Sequence, residues 1–403
     1  MKILFLTDNF PPEMNAPATR TWEHCKEWVK QGIEVTVITC APNFPKGKVF
    51  DGYKNKFIQS EIVDGIKVVR VWSYISSNSG FLKRIIDYIS FAVMSFIVGL
   101  FHKTDIIIAT SPQFFTTISG YLLSIFKRKP WVFELRDIWP ESIKAVGAMK
   151  PSKLLDSFEK LELFLYRKAD LIIPVTESFK SNLINRGVEA SKIKVVKNGV
   201  DLTKYKPITK DFFLLKELNL SDKFVISYIG THGMAHGLSF ILSSIEKVNN
   251  DFHFLFIGGG AEKESLVRQA KTLGLTNCTF LDFVSKDEIK RYISIIDIAL
   301  VNLKKSDTFK SVIPSKIFEN AAMMKPILLG VQGESEEIIR AYYAGECFLP
   351  EDKEDFLNKL QLMYDEYLKK TLIYNRGMSA LVTDYDRSKL ALSMLDELKL
   401  IIK

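Results

Sequence analysis

PSKIFENAAMMKPILLG, residues 314–330, is the segment from which the rest of the chain can be ordered. Ser315 suits a helix N-cap. Phe318, Ala321 and Ala322 follow at i, i+3 and i+4, which gives the helix one apolar face, while Lys316, Glu319 and Met323 fall on another. Lys325-Pro326 leads into Ile327–Gly330, a short apolar run of the kind found in parallel strands covered on both sides.

The same helix–strand alternation extends in both directions. Strand-like runs before it are Ile3–Leu6, Glu34–Thr39, Ile66–Trp72, Ile106–Thr110, Trp131–Leu135, Leu171–Val175 and Ile193–Val196. Amphipathic stretches such as Thr21–Gln31 and Ser152–Lys168 lie between them. After a polar stretch following Asp201 the alternation restarts, with Phe224–Ile229, Phe252–Ile257, Thr279–Phe283 and Ile298–Leu303. At 403 residues the chain is too long for one core. The expectation is α/β, with two Rossmann-like βα domains facing a central cleft: residues 1–202, residues 203–385, and a terminal helix in 386–403 returning to the first domain.

Composition narrows the function. A hydrophobic content of 47% with 25% charged residues fits an ordinary folded protein. Cys25, Cys40, Cys278 and Cys347 show no CxxC or Cys-His spacing, and the histidines form no HExxH pair, so no metal is expected and a reducing cytosol is. Met1-Lys2 precedes only four apolar residues, which reads as a first buried strand and not as a leader. The formal charge of +8 suits nucleic acid, an anionic membrane or phosphate-bearing substrates. No basic run or nucleic-acid motif supports the first, so no nucleic-acid partner is expected.

Tyr88–Phe101 is uncharged, with Lys83-Arg84 before it and His102-Lys103 after it. It is too short to span a bilayer. Two readings remain open: a helix buried between sheet and neighbours, or an interfacial helix whose apolar side touches lipid.

Four loops carry candidate chemistry. Lys316 at a helix start offers a point charge to phosphate, and Glu319 one turn on can accept from ribose hydroxyls; the plain alternative is a surface Lys–Glu pair. Gly230-Thr231-His232-Gly233 through His236-Gly237 follows a strand and lets backbone approach a diphosphate, the alternative being a simple βα turn. Its spacing is not GxGxxG, which argues against a nicotinamide-dependent oxidoreductase. Arg136-Asp137 ends a strand where open α/β folds place ligands, unless it is an Arg–Asp pair closing the sheet. Arg20 starts the helix after the first loop and is either a phosphate or acceptor contact or a surface arginine. His24 is read as a packing residue.

Pro314-Ser315-Lys316-Ile317-Phe318-Glu319 with Lys325-Pro326 resembles the nucleotide-sugar signature of family 4 glycosyltransferases, whose fold is GT-B. The resemblance spans the chain, from Thr7–Pro12 through Glu134–Ser142 and Asn198–Asp201. It implies that Glu319 binds the donor ribose and that Ser315, Lys316 and the Gly230–Gly237 loop hold the diphosphate. In relatives this loop often adds an Arg or Lys that is not found here, with His232 or His236 standing in. It further implies that Gly258 and Gly259 border the nucleotide, that Phe283 and Val284 hold the base through backbone groups, and that Asn15 lies near the phosphates. Arg136, Asp137 and Glu319 are the residues assigned to catalysis. The chain departs from the family at Ser311, where many members carry a second Glu, at Asn15-Ala16, where a Gly-Gly pair is usual, and at Arg136, where His is common.

RDIWPES…AVGAMK…LELFLYRKAD (residues 136–170) is most similar to N-acetyl-L-fucosaminyltransferases of capsule and O-antigen assembly. The implied reaction retains anomeric configuration, uses a UDP-sugar without an obligatory metal, and acts on a polyprenyl-diphosphate-linked saccharide at the inner face of the cytoplasmic membrane. The rivals are a UDP-sugar epimerase of the same shape and a non-catalytic family member.

Overall fold

The computed structural model describes the chain except residues 45, 76–80, 112, 139–152, 286–287, 372 and 403. The Trp139–Ser142 part of the first-domain motif therefore lies outside the described residues. The chain forms two compact units, one of Met1–Asn198 with Arg387–Lys403 and one of Gly199–Asp386.

Unit 1 runs β1 (Lys2–Leu6), α1 (Ala16–Lys30), β2 (Glu34–Cys40), β3 (Ile58–Val63), β4 (Ile66–Val71), α2 (Phe81–Gly99), β5 (Ile106–Thr110), α3 (Phe114–Lys127), β6 (Trp131–Leu135), α4 (Lys153–Lys168), β7 (Leu171–Pro174) and α5 (Glu177–Asn185). Its seven strands lie in the order β3-β4-β2-β1-β5-β6-β7, all parallel except the β3–β4 hairpin. Residues of β1, β5 and β6 are buried on both faces, which explains their unbroken apolar runs. One face packs Leu4, Leu6, Ile107 and Phe133 against Phe91, Leu123 and Tyr166. The other packs Ile3, Phe5, Val37 and Ile108 against Trp28 of α1 and against Met394, Leu395 and Leu398. Those last three belong to the closing helix Arg387–Leu400, which Trp28 also fixes by donating from Nε1 to the Ala391 carbonyl at 2.7 Å. Arg387 pairs with Glu23 of α1 beside it.

Unit 2 continues with α6 (Phe212–Glu217), β8 (Phe224–Ile229), α7 (Leu238–Ser244), β9 (Phe252–Ile257), α8 (Lys263–Thr272), β10 (Cys278–Leu281), α9 (Ile289–Ile295), β11 (Ile298–Asn302), α10 (Lys316–Ala322), β12 (Ile327–Gly330), α11 (Glu334–Tyr342), β13 (Gly345–Cys347), α12 (Lys353–Leu368) and α13 (Asn375–Asp384); the closing helix is α14. Its sheet is ordered β10-β9-β8-β11-β12-β13 and is parallel throughout. In each unit the chain fills one side of its first strand, then crosses to the other. The carboxyl ends of β1 and β5, and of β8 and β11, are therefore the two places where successive loops diverge and leave room for a ligand.

Several expectations are corrected. Ile193–Val196 is no strand; Ile193 makes a single bridge to Ile172. Edge strands β3 and β13 were not anticipated. The first half-exposes alternate residues and turns at Asp64-Gly65, both at positive φ (50° and 80°), as a two-residue hairpin requires. Thr279–Phe283 begins a residue earlier and ends at Leu281, leaving Phe283 in a loop and 71% exposed. Met323, expected on the same face as Lys316 and Glu319, is buried and belongs to the core cluster of Val225 and Leu255. A methionine closing a short helix next to the sheet gains more from burial than from exposure.

One side of α2 is buried in the core and the other is exposed. Phe91, Met94 and Val98 enter the core, while Ile86, Ile89, Val93 and Ile97 remain 41–51% exposed. Among the described residues, no helix is long and apolar enough to cross a membrane.

Candidate functional site

At the β8/β11 switch of unit 2, β8 ends at Ile229 and releases the Gly230–Gly237 loop. The neighbouring strand β9 releases Gly258-Gly259-Gly260, and the two loops are bonded together. Gly230 N–H donates to Ile257 O (2.9 Å), His232 N–H to Gly259 O (2.8 Å) and Glu262 N–H to His232 O (3.0 Å). Gly258 has φ +140°, and a Cβ there would lie 1.9 Å from the Gly230 carbonyl, so no other residue fits this contact. From β11, Asn302 donates through Nδ2 to His236 O at 2.8 Å, and Lys304 N–H donates to Ala235 O at 2.9 Å. Asn302 was read only as strand. A polar residue at the carboxyl end of a buried apolar run was the signal available for it.

Lys316 crosses from the start of α10 to this loop. Its Nζ lies 3.8 Å from the centroid of the Tyr228 ring, and a Cβ placed on Gly230 would be 2.7 Å from it. A cation over an aromatic face is held by the ring quadrupole, which does not neutralise it. Burial pulls the ammonium down to about 7, only partly opposed by the charge of Glu319. Tyr228 is kept in place by donating its hydroxyl to Thr231 O at 2.9 Å.

These positions bear on three expectations. Lys316 of α10 lies against the glycine loop, in which no Arg or Lys is found, because β8 and β11 are neighbours in the sheet (Ile226 beside Ile298) and their following segments meet. Burial first, then nearby lysine charge, pulls the imidazoles of His232 and His236 down to about 4 in the ligand-free protein. Neither ring nitrogen of His232 has a protein partner, and His232 is fully buried. Ser315 is not a side-chain cap. Its backbone is already helical (φ −59°, ψ −27°) and its hydroxyl makes no capping bond.

Glu319 follows Lys316 by one turn and is half-buried. Phe283 lies with its ring against Gly259, where a Cβ would be 2.7 Å from it, and Val284 packs on the β8–β9 side of the core. Lys263, by contrast, is fully engaged: it donates to Gly258 O (2.9 Å) and Leu281 O (2.8 Å) and pairs with Asp282. Unit 2 thus brings together Gly230, Thr231, His232, Gly233, His236, Gly258, Gly259, Ser315, Lys316 and Glu319 around one edge.

In unit 1 the predicted residues separate into two groups. Arg20 is 2% exposed and bonded to four oxygens: Glu134 Oε1 (2.9 Å), Lys197 O (2.9 Å), Asn198 Oδ1 (3.1 Å) and Val196 O (2.9 Å). It joins α1, β6 and the segment after β7, so the expected phosphate or acceptor contact is replaced by a structural one. Asn15 caps α1, accepting from Ala18 N–H at 2.9 Å. Its side chain is also tied to Asn9.

Arg136 and Asp137 leave the end of β6 with both N–H groups directed at Ser111 Oγ (2.8 and 3.2 Å), which orients the turn. Among the described residues, the buried Nε and Nη1 of Arg136 have no acceptor. Burial lowers the guanidinium to about 10, Glu134 and Asp8 opposing the shift and Arg20 and Arg387 adding to it. Asp8 at the end of β1 is raised by burial and restrained by bonds from Asn9 and Gln113 and by the charge of Arg136. Arg136 and Asp137 thus sit together at the carboxyl end of β6, both half-buried.

Among the described residues, no group of three His, Cys, Asp or Glu side chains gathers where it could hold a metal ion.

Comparison with known proteins matches this geometry to a family. The model described as "Glycosyltransferase Family 4" matches residues 18–204, and that described as "Glycosyl transferases group 1" matches residues 211–377. WcaI of Escherichia coli (strain K12), named as a colanic acid biosynthesis glycosyl transferase, is 27% identical over 331 residues, 79% of this chain and 80% of its own. WbjE of Pseudomonas aeruginosa, named as a glycosyltransferase, is 25% identical over 215 residues, 52% of this chain and 53% of its own. Among solved structures, Anabaena Alr3699/HepE in complex with UDP and glucose has a TM-score of 0.75 at 18% identity, covering 99% of both chains. Sucrose-phosphate synthase from Thermosynechococcus elongatus has a TM-score of 0.79 at 13% identity, covering 99% of this chain and 98% of its own. The chain belongs to the GT-B glycosyltransferases, its first unit of Glycosyltransferase Family 4 and its second of Glycosyl transferases group 1.

Proposed function

We propose that the protein transfers a sugar from a UDP-sugar to a lipid-linked saccharide in the assembly of a surface polysaccharide. The observation that carries the donor assignment is Lys316: a buried ammonium resting on a ring at the β8/β11 edge, beside a loop rich in backbone N–H groups. A diphosphate is the ligand that such a group stabilises most, through charge-assisted hydrogen bonds in a low-dielectric setting. Glu319, one turn on, is the acceptor for ribose hydroxyls. The UDP identity is supported by the HepE complexes with UDP and UDP-glucose. A polysaccharide product is supported by the naming of WcaI for colanic acid. The donor is an N-acetylated deoxyhexosamine of the N-acetyl-L-fucosamine type, and the acceptor a polyprenyl-diphosphate saccharide of capsule or O-antigen synthesis at the inner membrane face.

The chemistry is retaining and needs no obligatory metal. The bond from C1 to the β-phosphate oxygen breaks while the acceptor oxygen bonds to C1 on the same face. The acceptor proton passes to the departing phosphate, so no general-base carboxylate pair is required, unlike in a glycosidase. Lys316 and the Gly230–Gly237 amides offset the charge that develops on that phosphate. Arg136 and Asp137 act at the reacting sugar and the acceptor.

Thermal unfolding with UDP, UDP-N-acetylhexosamines, GDP and NAD tests the donor site. A ligand bound only by the folded state adds about 2.7 kcal/mol at a hundredfold excess over its dissociation constant. The expected result is stabilisation by UDP compounds alone. Stabilisation by GDP or NAD without a UDP response overturns the assignment.

A further inference from the structure

We propose that the outer face of α2, joined to the end of α3, docks the protein on an anionic lipid bilayer. The exposed side chains Ile86, Ile89, Val93 and Ile97 follow one another at steps of three and four along α2, and Phe101 keeps the spacing in the turn just beyond it, so they form a single stripe. At about 1.5 Å per residue the stripe is roughly 22 Å long. Its opposite side is anchored in the core through Phe91, Met94 and Val98, which fixes the direction in which the stripe faces.

The end of α3 extends it. Ile125 is 52% and Phe126 67% exposed, and the Phe126 ring meets Phe96 of α2 edge-on at 5.5 Å. Lys127 Nζ donates to the carbonyls of Leu100 (2.9 Å) and His102 (2.8 Å). The two helix ends are thereby tied into one surface. A contiguous apolar patch of this kind on a folded unit marks an interaction site.

Charge selects the occupant. Lys83 and Arg84 are exposed at the start of α2, and Lys103, Arg128 and Lys129 are exposed at the other end. Two carboxylates border the patch. Asp105 stands 4.0 Å from Lys129, and Asp87 is half-buried at the margin of the helix. Along the stripe the one hydroxyl, that of Ser90, is engaged, donating to Asp87 O and accepting from Tyr74 N–H. A line of apolar side chains without free hydrogen-bonding groups, basic at both ends, matches an acyl boundary with anionic headgroups around it. A protein partner would leave those bases needing acids at matching places. The surface agrees with the lipid-linked acceptor above but does not depend on the donor site.

Flotation with mixed phosphatidylethanolamine–phosphatidylglycerol vesicles tests it, with phosphatidylcholine vesicles as the neutral control and UDP binding measured on the same samples. The wild type should float with the anionic vesicles and lose binding as salt rises. Ile89→Asp with Ile97→Asp should reduce partitioning about tenfold or more while UDP binding is unchanged. Arg128→Glu with Lys129→Glu should weaken it about tenfold at low salt. Unchanged flotation of both variants overturns the proposal. So does absence of wild-type flotation with UDP binding intact, which leaves the donor reading standing. Flotation without UDP binding has the opposite meaning. A concentration-dependent dimer abolished by Ile97→Asp would assign the face to a second copy instead.

Discussion

Arg20 in unit 1 and Lys316 in unit 2 are both cations withdrawn from solvent near the carboxyl edge of a parallel sheet, and their surroundings are opposite. Arg20 meets a buried carboxylate and three further oxygens, and each contact crosses between segments of unit 1. Lys316 meets the face of Tyr228 and the backbone of a glycine loop, and burial depresses its charge. Compensated charge fixes a fold. Charge compensated only in part, at the cost of desolvation, is stabilised further when an anion arrives. Reading the two side by side separates structural from functional basic residues better than exposure does, since exposure would have dismissed both.

The largest expected effect is on stability. Arg20→Ala leaves Glu134, 1% exposed, as a buried carboxylate without its partner, and should cost about 3–5 kcal/mol in urea unfolding. Arg20→Met combined with Glu134→Leu should recover most of that loss, because removing both charges removes the desolvation penalty with the pairing. UDP affinity should be unchanged in whichever variant remains folded. Wild-type stability in Arg20→Ala together with weakened UDP binding would break the comparison, and return Arg20 to the phosphate role that its sequence position suggests.

Lys316→Met inverts that pattern. Loss of a charge-assisted contact to phosphate should weaken UDP binding about ten- to hundredfold by calorimetry. Stability in the absence of ligand should hold or rise slightly, since an ammonium whose desolvation the charge of Glu319 only partly offsets is replaced by an apolar chain of similar length. A large loss of stability with UDP affinity intact would make Lys316 a second Arg20.

The sequence made some of this legible and hid the rest for a physical reason. Buried parallel strands announce themselves as apolar runs, so β1, β5, β6, β8 and β11 could be placed nearly to the residue. β3 alternates between half-buried and exposed residues and β13 is only three residues long, so both were invisible to that criterion. Within the site, local geometry was readable: the glycine loop, the helix carrying Lys316 and Glu319, the turn at Arg136. Which side chain reaches which loop depends on strand order, which periodicity does not encode. Lys316 lies 86 residues beyond Gly230 in the chain, and only the pairing of β8 with β11 brings them together. The same limitation left Arg20 open between a phosphate or acceptor contact and a surface arginine.

The smallest effect is a slope. In the empty protein the Lys316 ammonium titrates at about 7, below its ordinary value of 10.5 because burial disfavours the charge. A bound diphosphate favours the charged form, so its arrival raises that value and draws a proton from solvent. UDP is already fully ionised above pH 7 or so, its last phosphate pKa being about 6. Between about pH 7 and 9, UDP affinity should therefore fall with rising pH, by up to about tenfold per unit, with proton uptake approaching one. Calorimetry in buffers of different ionisation enthalpy measures that proton directly. The ligand-free protein should slope the other way. Its folded value lies below the unfolded one, so the unfolded chain binds more protons in this window and this residue's contribution to stability rises with pH. Lys316→Met should flatten both slopes. A wild-type affinity that stays level from pH 7 to 9 would mean that the ammonium and the diphosphate do not meet.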